Sequence, residues 1–312
     1  MIDPFLMCAA RRHSIKIAAV IQSWDNTSTK DYRGADPDYV VVWNQTMERE
    51  AEVFHDIPKE NIFLEGIAHW DIYFSRERDE EERASATLPE IGLVGGRPII
   101  YYCTSSFQIF NNSLDTAREL AAWLCTLQLI GRPQLLMRLH PSYLIPKGSD
   151  RETKAEKLLD QMSSIQRESR GDVFFDSPKM PAIAEGIDMP MQDMLRRKLL
   201  LKGSSVLINE YSTLMIEGAI FDVPTINISV GRFRDTNKEV AYVEQFHHIR
   251  RILKTMACVT AYWYSEFFEW IQRYLADSRL HRENRKSLVT QEITVNKGRA
   301  GVVVGRYLAQ LI

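Results

Sequence analysis

The stretch from Ser204 to Ser229, SSVLINEYSTLMIEGAIFDVPTINIS, constrains the fold more than any other part of the chain. Ser205 to Ile208 is a short apolar run that ends in Asn209 and Glu210. Ser212 and Thr213 stand where a helix begins, and Leu214, Met215, Glu217, Ala219 and Ile220 continue it. Asp222 to Pro224 ends the helix, and Thr225 to Ile228 is the next strand. Strands of this kind alternating with helices imply parallel sheets. A hydroxyl pair at a helix start fits an anion, because free N–H groups and the helix dipole point at it. A plain helix cap uses the same residues, so this segment alone leaves both readings open.

The same alternation extends along the chain. Ile15 to Gln22 reads as a buried strand, and Ser23 to Gly34 as a polar loop. Tyr39 to Trp43 reads as a strand of the near-continuous apolar type found in parallel sheets. Asn44 to Phe54 has helical spacing, with Met47, Ala51 and Phe54 on one side, and Asn61 to Leu64 is a third strand. The acidic-basic run Arg76 to Arg83 reads as a solvated helix or linker, and with Leu88 to Gly96, which ends in the Gly95-Gly96 turn, as a linker between domains. A second series follows, with strands at Pro98 to Cys103, Gln134 to Leu139, Val173 to Phe175, Ser205 to Ile208 and Thr225 to Ile228. Helices are expected at Ser113 to Ile130, Asp150 to Arg167, Met191 to Leu201, Val240 to Lys254, Tyr262 to Leu275 and Gly298 to Ile312. The fold class is α/β.

In open parallel sheets, ligands bind beyond the carboxyl ends of the strands. Four of the strands in the second series end in reactive or anion-friendly residues. They supply Thr104, Ser105 and Ser106; Arg138 and His140; Asp176 and Ser177; and Glu210, Tyr211, Ser212 and Thr213. Each residue alone also fits a bland role as a cap, a turn or a satisfied core group. Glu217 sits in its helix among Ile216, Gly218 and Ala219. A carboxylate there fits the hydroxyl pair of a ribose.

Several classes are excluded or disfavoured. The net charge of -2 gives no general polyanion binder, so no nucleic-acid partner is expected. Cys8, Cys103, Cys125 and Cys258 have no CxxC spacing, which argues against a zinc site or disulfide framework and for a reducing, cytoplasmic compartment. No apolar run approaches the ~20 residues that span a bilayer. Asp36-Pro37-Asp38 is a D-x-D triplet, but it precedes its strand and fits a turn, so no metal is expected. His247-His248 and Arg250-Arg251 read as helix-surface charge. The aromatic group from Tyr262 to Trp270 reads as core.

Taken in order, the motifs SWDNTSTK (Ser23 to Lys30), the block from Tyr39 to Tyr73, YYCTSS (Tyr101 to Ser106), LLMRLHP (Leu135 to Pro141) and INEYSTLMIEGAIFDVPTINI (Ile208 to Ile228) resemble a family. The chain resembles the GT-B-fold glycosyltransferases of bacterial surface-polysaccharide synthesis, and the related CDP-glycerol glycerophosphotransferase, Kdo-transferase and sialyltransferase types. The resemblance implies two Rossmann-like parallel-sheet domains: a partial N-terminal, acceptor-side domain at 1–75, a linker at 76–96, a donor-binding domain at 97–298 and a closing helix at 299–312. An N-terminal half of that fold has on the order of 150 residues, so the resemblance implies an incomplete one: a fragment, a shortened reading frame, or a protein completed by a partner or a second copy.

The resemblance also implies roles. Ser105, Ser106, Arg138, Ser212 and Thr213 would hold the donor phosphates, and Glu217 the ribose. His140 would stabilise the leaving group, and Asp25 would act as general base, although Asp25 fits a loop cap equally well. Thr104, Glu210 and Tyr211 would complete the pocket. The implied donor is a CMP-, CDP-, UDP- or GDP-linked sugar, and the acceptor is a saccharide or a lipid-linked saccharide, reached by a cytoplasmic protein peripheral to the inner membrane face. Transfer would need no cofactor or metal. The rivals are glycerol-phosphate transfer from CDP-glycerol, UDP-sugar epimerisation, and a catalytically silent donor-binding protein.

Overall fold

The computed structural model describes residues 4–29, 36–75, 80–105, 113–126, 131–141, 151–169, 171–176, 190–230 and 243–311. The chain forms two compact units. The first comprises Met1–Ser75, Glu244–Lys254 and Ser287–Ile312, and the second Arg76–Val243 and Thr255–Lys286. The tract 97–298 thus contributes residues to both.

In the first unit, β1 (Ala18–Val20), β2 (Tyr39–Val42) and β3 (Ile62–Leu64) form a parallel sheet in that order. Helix α1 (Pro4–Arg12) precedes it, and α2 (Gln45–His55) follows β2. Asn44 caps α2, its side-chain oxygen accepting the Met47 N–H at 3.0 Å. This satisfies one of the donors that a helix start leaves unpaired. Met47 and Ala51 are fully buried, as their spacing implies, but Phe54 is 54% exposed. The short helix α3 (Asp71–Phe74) closes the first segment, and α9 (His247–Leu253), the end of α11 (Arg282–Glu292) and α12 (Ala300–Gln310) return to this unit. The Asp71 carboxylate caps α12 by accepting the Ala300 and Gly301 N–H groups at 2.9 and 2.8 Å. One face of α12 packs Val304 and Tyr307 on Val41, beside Val20 and Phe63. The closing helix therefore packs on a sheet, as its apolar spacing predicts.

The Asp36-Pro37-Asp38 triplet is a turn into β2. The Asp38 carboxylate accepts the Ile17 N–H at 2.7 Å and pairs with Arg11 at 2.9 Å. The Ile17 hydrogen bond is the main reason its carboxyl is held below the usual range.

The second unit carries β4 (Ile99–Cys103), β5 (Gln134–Arg138), β6 (Val173–Asp176), β7 (Val206–Asn209), β8 (Thr225–Ile228) and β9 (Cys258–Ala261), all parallel. Their order in the sheet is β6-β5-β4-β7-β8-β9. Counted within the unit this is third, second, first, fourth, fifth, sixth, the order of dinucleotide-binding sheets, and it reverses between β4 and β7. Strand β9 was not visible in the sequence: its four residues, Cys-Val-Thr-Ala, lie between two helical patterns and are too short to show a period.

The sheet is buried on both faces, which is why its strands read as continuous apolar runs. One face packs Ile100, Tyr102, Leu135, Met137, Val206 and Ile208 against α5 (Ser113–Thr126), α6 (Arg151–Glu168) and α10 (Tyr264–Ala276). The other packs Ile99, Tyr101, Leu136 and Leu207 against α4 (Glu80–Ile91), α7 (Met191–Gly203) and α8 (Leu214–Ile220). Each fully buried aliphatic side chain contributes on the order of 1.5–3 kcal/mol. The segment read as a linker thus contains a helix, α4, whose Leu88 and Ile91 join this core. Helix α8 lies so close to β7 and β8 that a Cβ on Gly218 would meet Thr225 Oγ1 at 2.6 Å and Leu207 at 2.7 Å. Among the described residues no helix is long and apolar enough to cross a membrane.

Candidate functional site

The reversal of strand order brings the ends of β4 and β7 side by side, and Glu210 bridges them. Its carboxylate accepts the Ser105 N–H at 2.7 Å and the Tyr102 hydroxyl. Glu210 has no exposed surface, and burial pushes its carboxyl up to about 7, against the hydrogen bonds from Tyr102, Ser105 and Ser113 that favour the ionised form. Thr104 ties the next pair of strand ends together. Its N–H donates to the Arg138 carbonyl at 3.0 Å, and its hydroxyl accepts the His140 N–H at 2.9 Å. Burial lowers the His140 pKa, so the imidazole is held neutral at pH 7.

On the other side of the reversal, side-chain amides line the sheet edge. Asn209, Asn227 and Thr260 share a register across β7, β8 and β9. Asn209 Nδ2 donates to Asn227 Oδ1 at 3.3 Å, and Asn227 Nδ2 donates to Thr260 Oγ1 at 3.4 Å. Asn227 Oδ1 also accepts the Tyr211 N–H at 2.7 Å, which fixes Tyr211 at a φ of 49°, in the left-handed region. The Tyr211 hydroxyl donates to Ser229 at 3.0 Å. Ser212 donates its hydroxyl to Asn209 Oδ1 at 2.5 Å and its N–H to the same atom at 3.2 Å. Thr213 donates its hydroxyl to Glu217 Oε1 at 3.0 Å, and Glu217, 1% exposed, also pairs with Arg197 Nε at 3.3 Å.

Thr104, Ser105, His140, Glu210, Tyr211, Ser212 and Thr213 are therefore neighbours along one sheet edge, with Glu217 one turn behind. Arg138 is placed differently. Its guanidinium is buried between Asp176 and, at 2.5 Å, Asp193, and Arg196 Nε meets the other oxygen of Asp176 at 3.0 Å. The Arg138 charge is already matched inside the protein, and it fixes the strand end that carries His140. Ser106 lies outside the described residues. Asp25 belongs to the first unit, where it accepts the Ser23 hydroxyl at 2.5 Å and, through its carbonyl, the Thr29 N–H at 2.9 Å. This is the geometry of a loop cap.

Two groups of polar residues were missed from the sequence. The amide row at the sheet edge does leave a trace there, because Ile-Asn occurs in both β7 and β8 at the same register. The second group lies in the first unit. Arg251 donates to both oxygens of Glu292, at 2.9 and 3.0 Å, and to Glu50 at 3.2 Å. Arg251 is not surface charge: its side chain is 9% exposed.

No family model matches the chain, and no curated protein is similar to it in sequence. Solved structures are similar in shape. The wall teichoic acid polymerase TagF aligns over 88% of this chain and 57% of its own, with 13% identity and a TM-score of 0.59. A UDP-GlcNAc 2-epimerase from Neisseria meningitidis, bound to UDP-GlcNAc, aligns over 97% of this chain and 72% of its own, with 10% identity and a TM-score of 0.58. The fold is GT-B-like. The Methanocaldococcus jannaschii UDP-GlcNAc 2-epimerase, in complex with UDP-GlcNAc and UDP, shares this GT-B-like fold, with 12% identity and a TM-score of 0.54 over 96% of this chain. The chain spans 57% of the TagF structure's length. Identities this low establish the fold alone.

Proposed function

We propose that the second unit binds a nucleotide-activated donor at the carboxyl edge of its sheet, and that the chain takes part in transferring the activated group to a saccharide or lipid-linked acceptor of a surface polysaccharide, without a metal. The observation that carries this reading is the reversal of strand order between β4 and β7, flanked by Thr104, Ser105, His140, Glu210, Ser212 and Thr213. The diphosphate would meet the hydroxyls of Ser105, Ser212 and Thr213, uncharged groups that would turn to it from their present partners Glu210, Asn209 and Glu217. Neutral His140 would hydrogen-bond the departing phosphate, and Glu217 would take the ribose hydroxyls. Donors aimed where charge develops on a leaving group account for much of the acceleration in such reactions. Arg138 is assigned a supporting role, because two carboxylates already hold it.

The likeness to TagF favours a second reading in the same architecture, with a CDP-linked polyol phosphate as the donor. Isothermal titration of the chain with CMP, CDP, UDP and GDP tests both. Saturable binding of a uridine or guanosine nucleotide supports the sugar reading over the polyol-phosphate one, and binding of a cytidine nucleotide keeps both. Binding of none overturns both.

A further inference from the structure

The polar cluster of the first unit borders a cavity of ≈530 Å³ lined by Gln45, Thr46, Arg49, Glu50, Val53, Phe54 and His247. That volume suits a ligand of monosaccharide size or somewhat larger. Glu50 is the buried anchor, with a side chain 3% exposed. One of its oxygens accepts the Thr27 hydroxyl at 2.5 Å, and the other meets Arg251 at 3.2 Å and His247 Nδ1 at 2.6 Å. An ionised carboxylate only accepts hydrogen bonds, so His247 Nδ1 carries the proton. Nε2 is the ring nitrogen that Glu50 leaves for a ligand, and that half-exposed ring stands edge-on to Phe54 at 6.1 Å. Among the described residues Arg49 makes no hydrogen bond or ion pair, and neither do Gln45 and Thr46 through their side chains. Val53 and Phe54 are exposed apolar surface, at 59% and 54%.

We propose that this cavity binds a polyhydroxylated ligand bearing an acidic group, either an acidic saccharide or a polyol phosphate. A ligand hydroxyl hydrogen-bonds to His247 Nε2, and Arg49 holds the acidic group. The three features ask for different parts of one molecule. A pinned imidazole nitrogen fits a hydroxyl, which can donate or accept, a guanidinium without a partner among the described residues fits a carboxylate or phosphate, and Val53 with Phe54 receives the C–H face of a ring or chain. Glu50 itself is not open to a cation, because Arg251, His247 and Thr27 already surround it. The cavity lies within the first unit, and its ligand is independent of the nucleotide reading.

The test is a titration of the whole chain with glucose 6-phosphate, glucuronate and glucose, followed through the imidazole nitrogen signals of His247, assigned with His247→Ala. The expected result is a saturable shift of the Nε2 signal by one or both acidic compounds, with glucose at least tenfold weaker. A response to the phosphate alone or the carboxylate alone identifies the acidic group. Arg49→Ala should abolish the preference for the acidic compounds, and Arg49 is exposed, so the fold tolerates its loss. No shift with either acidic compound, equal affinity for glucose, or a preference that survives Arg49→Ala would overturn the proposal. A parallel titration with CDP and UDP reports on the second unit separately: lost saccharide binding with retained nucleotide binding rejects this site alone, and the reverse rejects the nucleotide reading alone.

Discussion

The two polar regions are built in opposite ways. At the sheet edge of the second unit, the groups nearest the strand-order reversal are hydroxyls, amides, a neutral imidazole and a carboxyl with a pKa of about 7. In the first unit the cluster around Glu50 is made of full charges, two carboxylates against a guanidinium, with a histidine pinned to one of them. The first arrangement suits a ligand that brings its own charge, because fixed dipoles in a dry site stabilise that charge without competing counter-ions. The second pairs its charges with one another and, among the residues lining the cavity, leaves the imidazole edge and Arg49 to act outward. Arg138 shows the contrast within one unit. It lies two residues from His140, yet it belongs with the internally balanced charges.

The largest expected effects come from breaking that internal balance. Arg138→Ala should destabilise the chain by about 3–5 kcal/mol, because it leaves Asp176 and Asp193 as buried, less compensated carboxylates. Urea denaturation followed by circular dichroism measures this, and Arg251→Ala, which strands Glu50 and Glu292, should cost a similar amount. A loss below about 1 kcal/mol for Arg138→Ala would mean that its carboxylates are well solvated, and would return it to the candidate phosphate ligands.

Glu210 should give the next largest effect, and its sign can be worked out. The folded carboxyl titrates at about 7 and the unfolded one at 4.5. The folded state therefore holds the proton over this window, and its stability falls as pH rises from about 4.5 to 7. The loss is roughly 3 kcal/mol. Glu210→Gln removes this slope, so the variant should gain on the wild type as pH rises. Denaturation midpoints of both proteins at pH 5 and pH 8 would show it, and parallel curves would refute the assignment.

Asn227→Ala comes third, at about 1–3 kcal/mol, because it leaves the buried Tyr211 N–H without its acceptor. Ser212→Ala is the smallest in stability, about 0.5–1.5 kcal/mol. It should still weaken nucleotide binding several-fold, and a change in affinity without a comparable change in stability would separate contact from scaffold.

Much of this was legible in the sequence because parallel sheets buried on both faces announce themselves as apolar runs. Those runs located β4, β5, β7 and β8, and with them the residues at their ends. Strand β9 was not legible, because four residues carry no period, and helix α4 was legible only as one of two readings of its charged start, a solvated helix or a linker, because its charges outnumber its apolar contacts. The partners of Arg138 were hidden for a different reason. Asp176 closes one strand, while Asp193 lies in a helix 55 residues from Arg138 in the chain, and only the fold brings them together. The Glu50–His247 contact spans 197 residues. No local pattern marks such a pair, and Glu50 reads as one charge among several on the outer face of α2.

The central claim is that the carboxyl edge of the six-stranded sheet receives a nucleotide. Amide hydrogen exchange with and without saturating CDP and UDP tests it most directly. The account predicts slowed exchange at 104–105, 139–140 and 209–217 with at least one of the two nucleotides, and unchanged exchange in α2. Nucleotide binding that leaves those segments unchanged, or protects α2 instead, would contradict it.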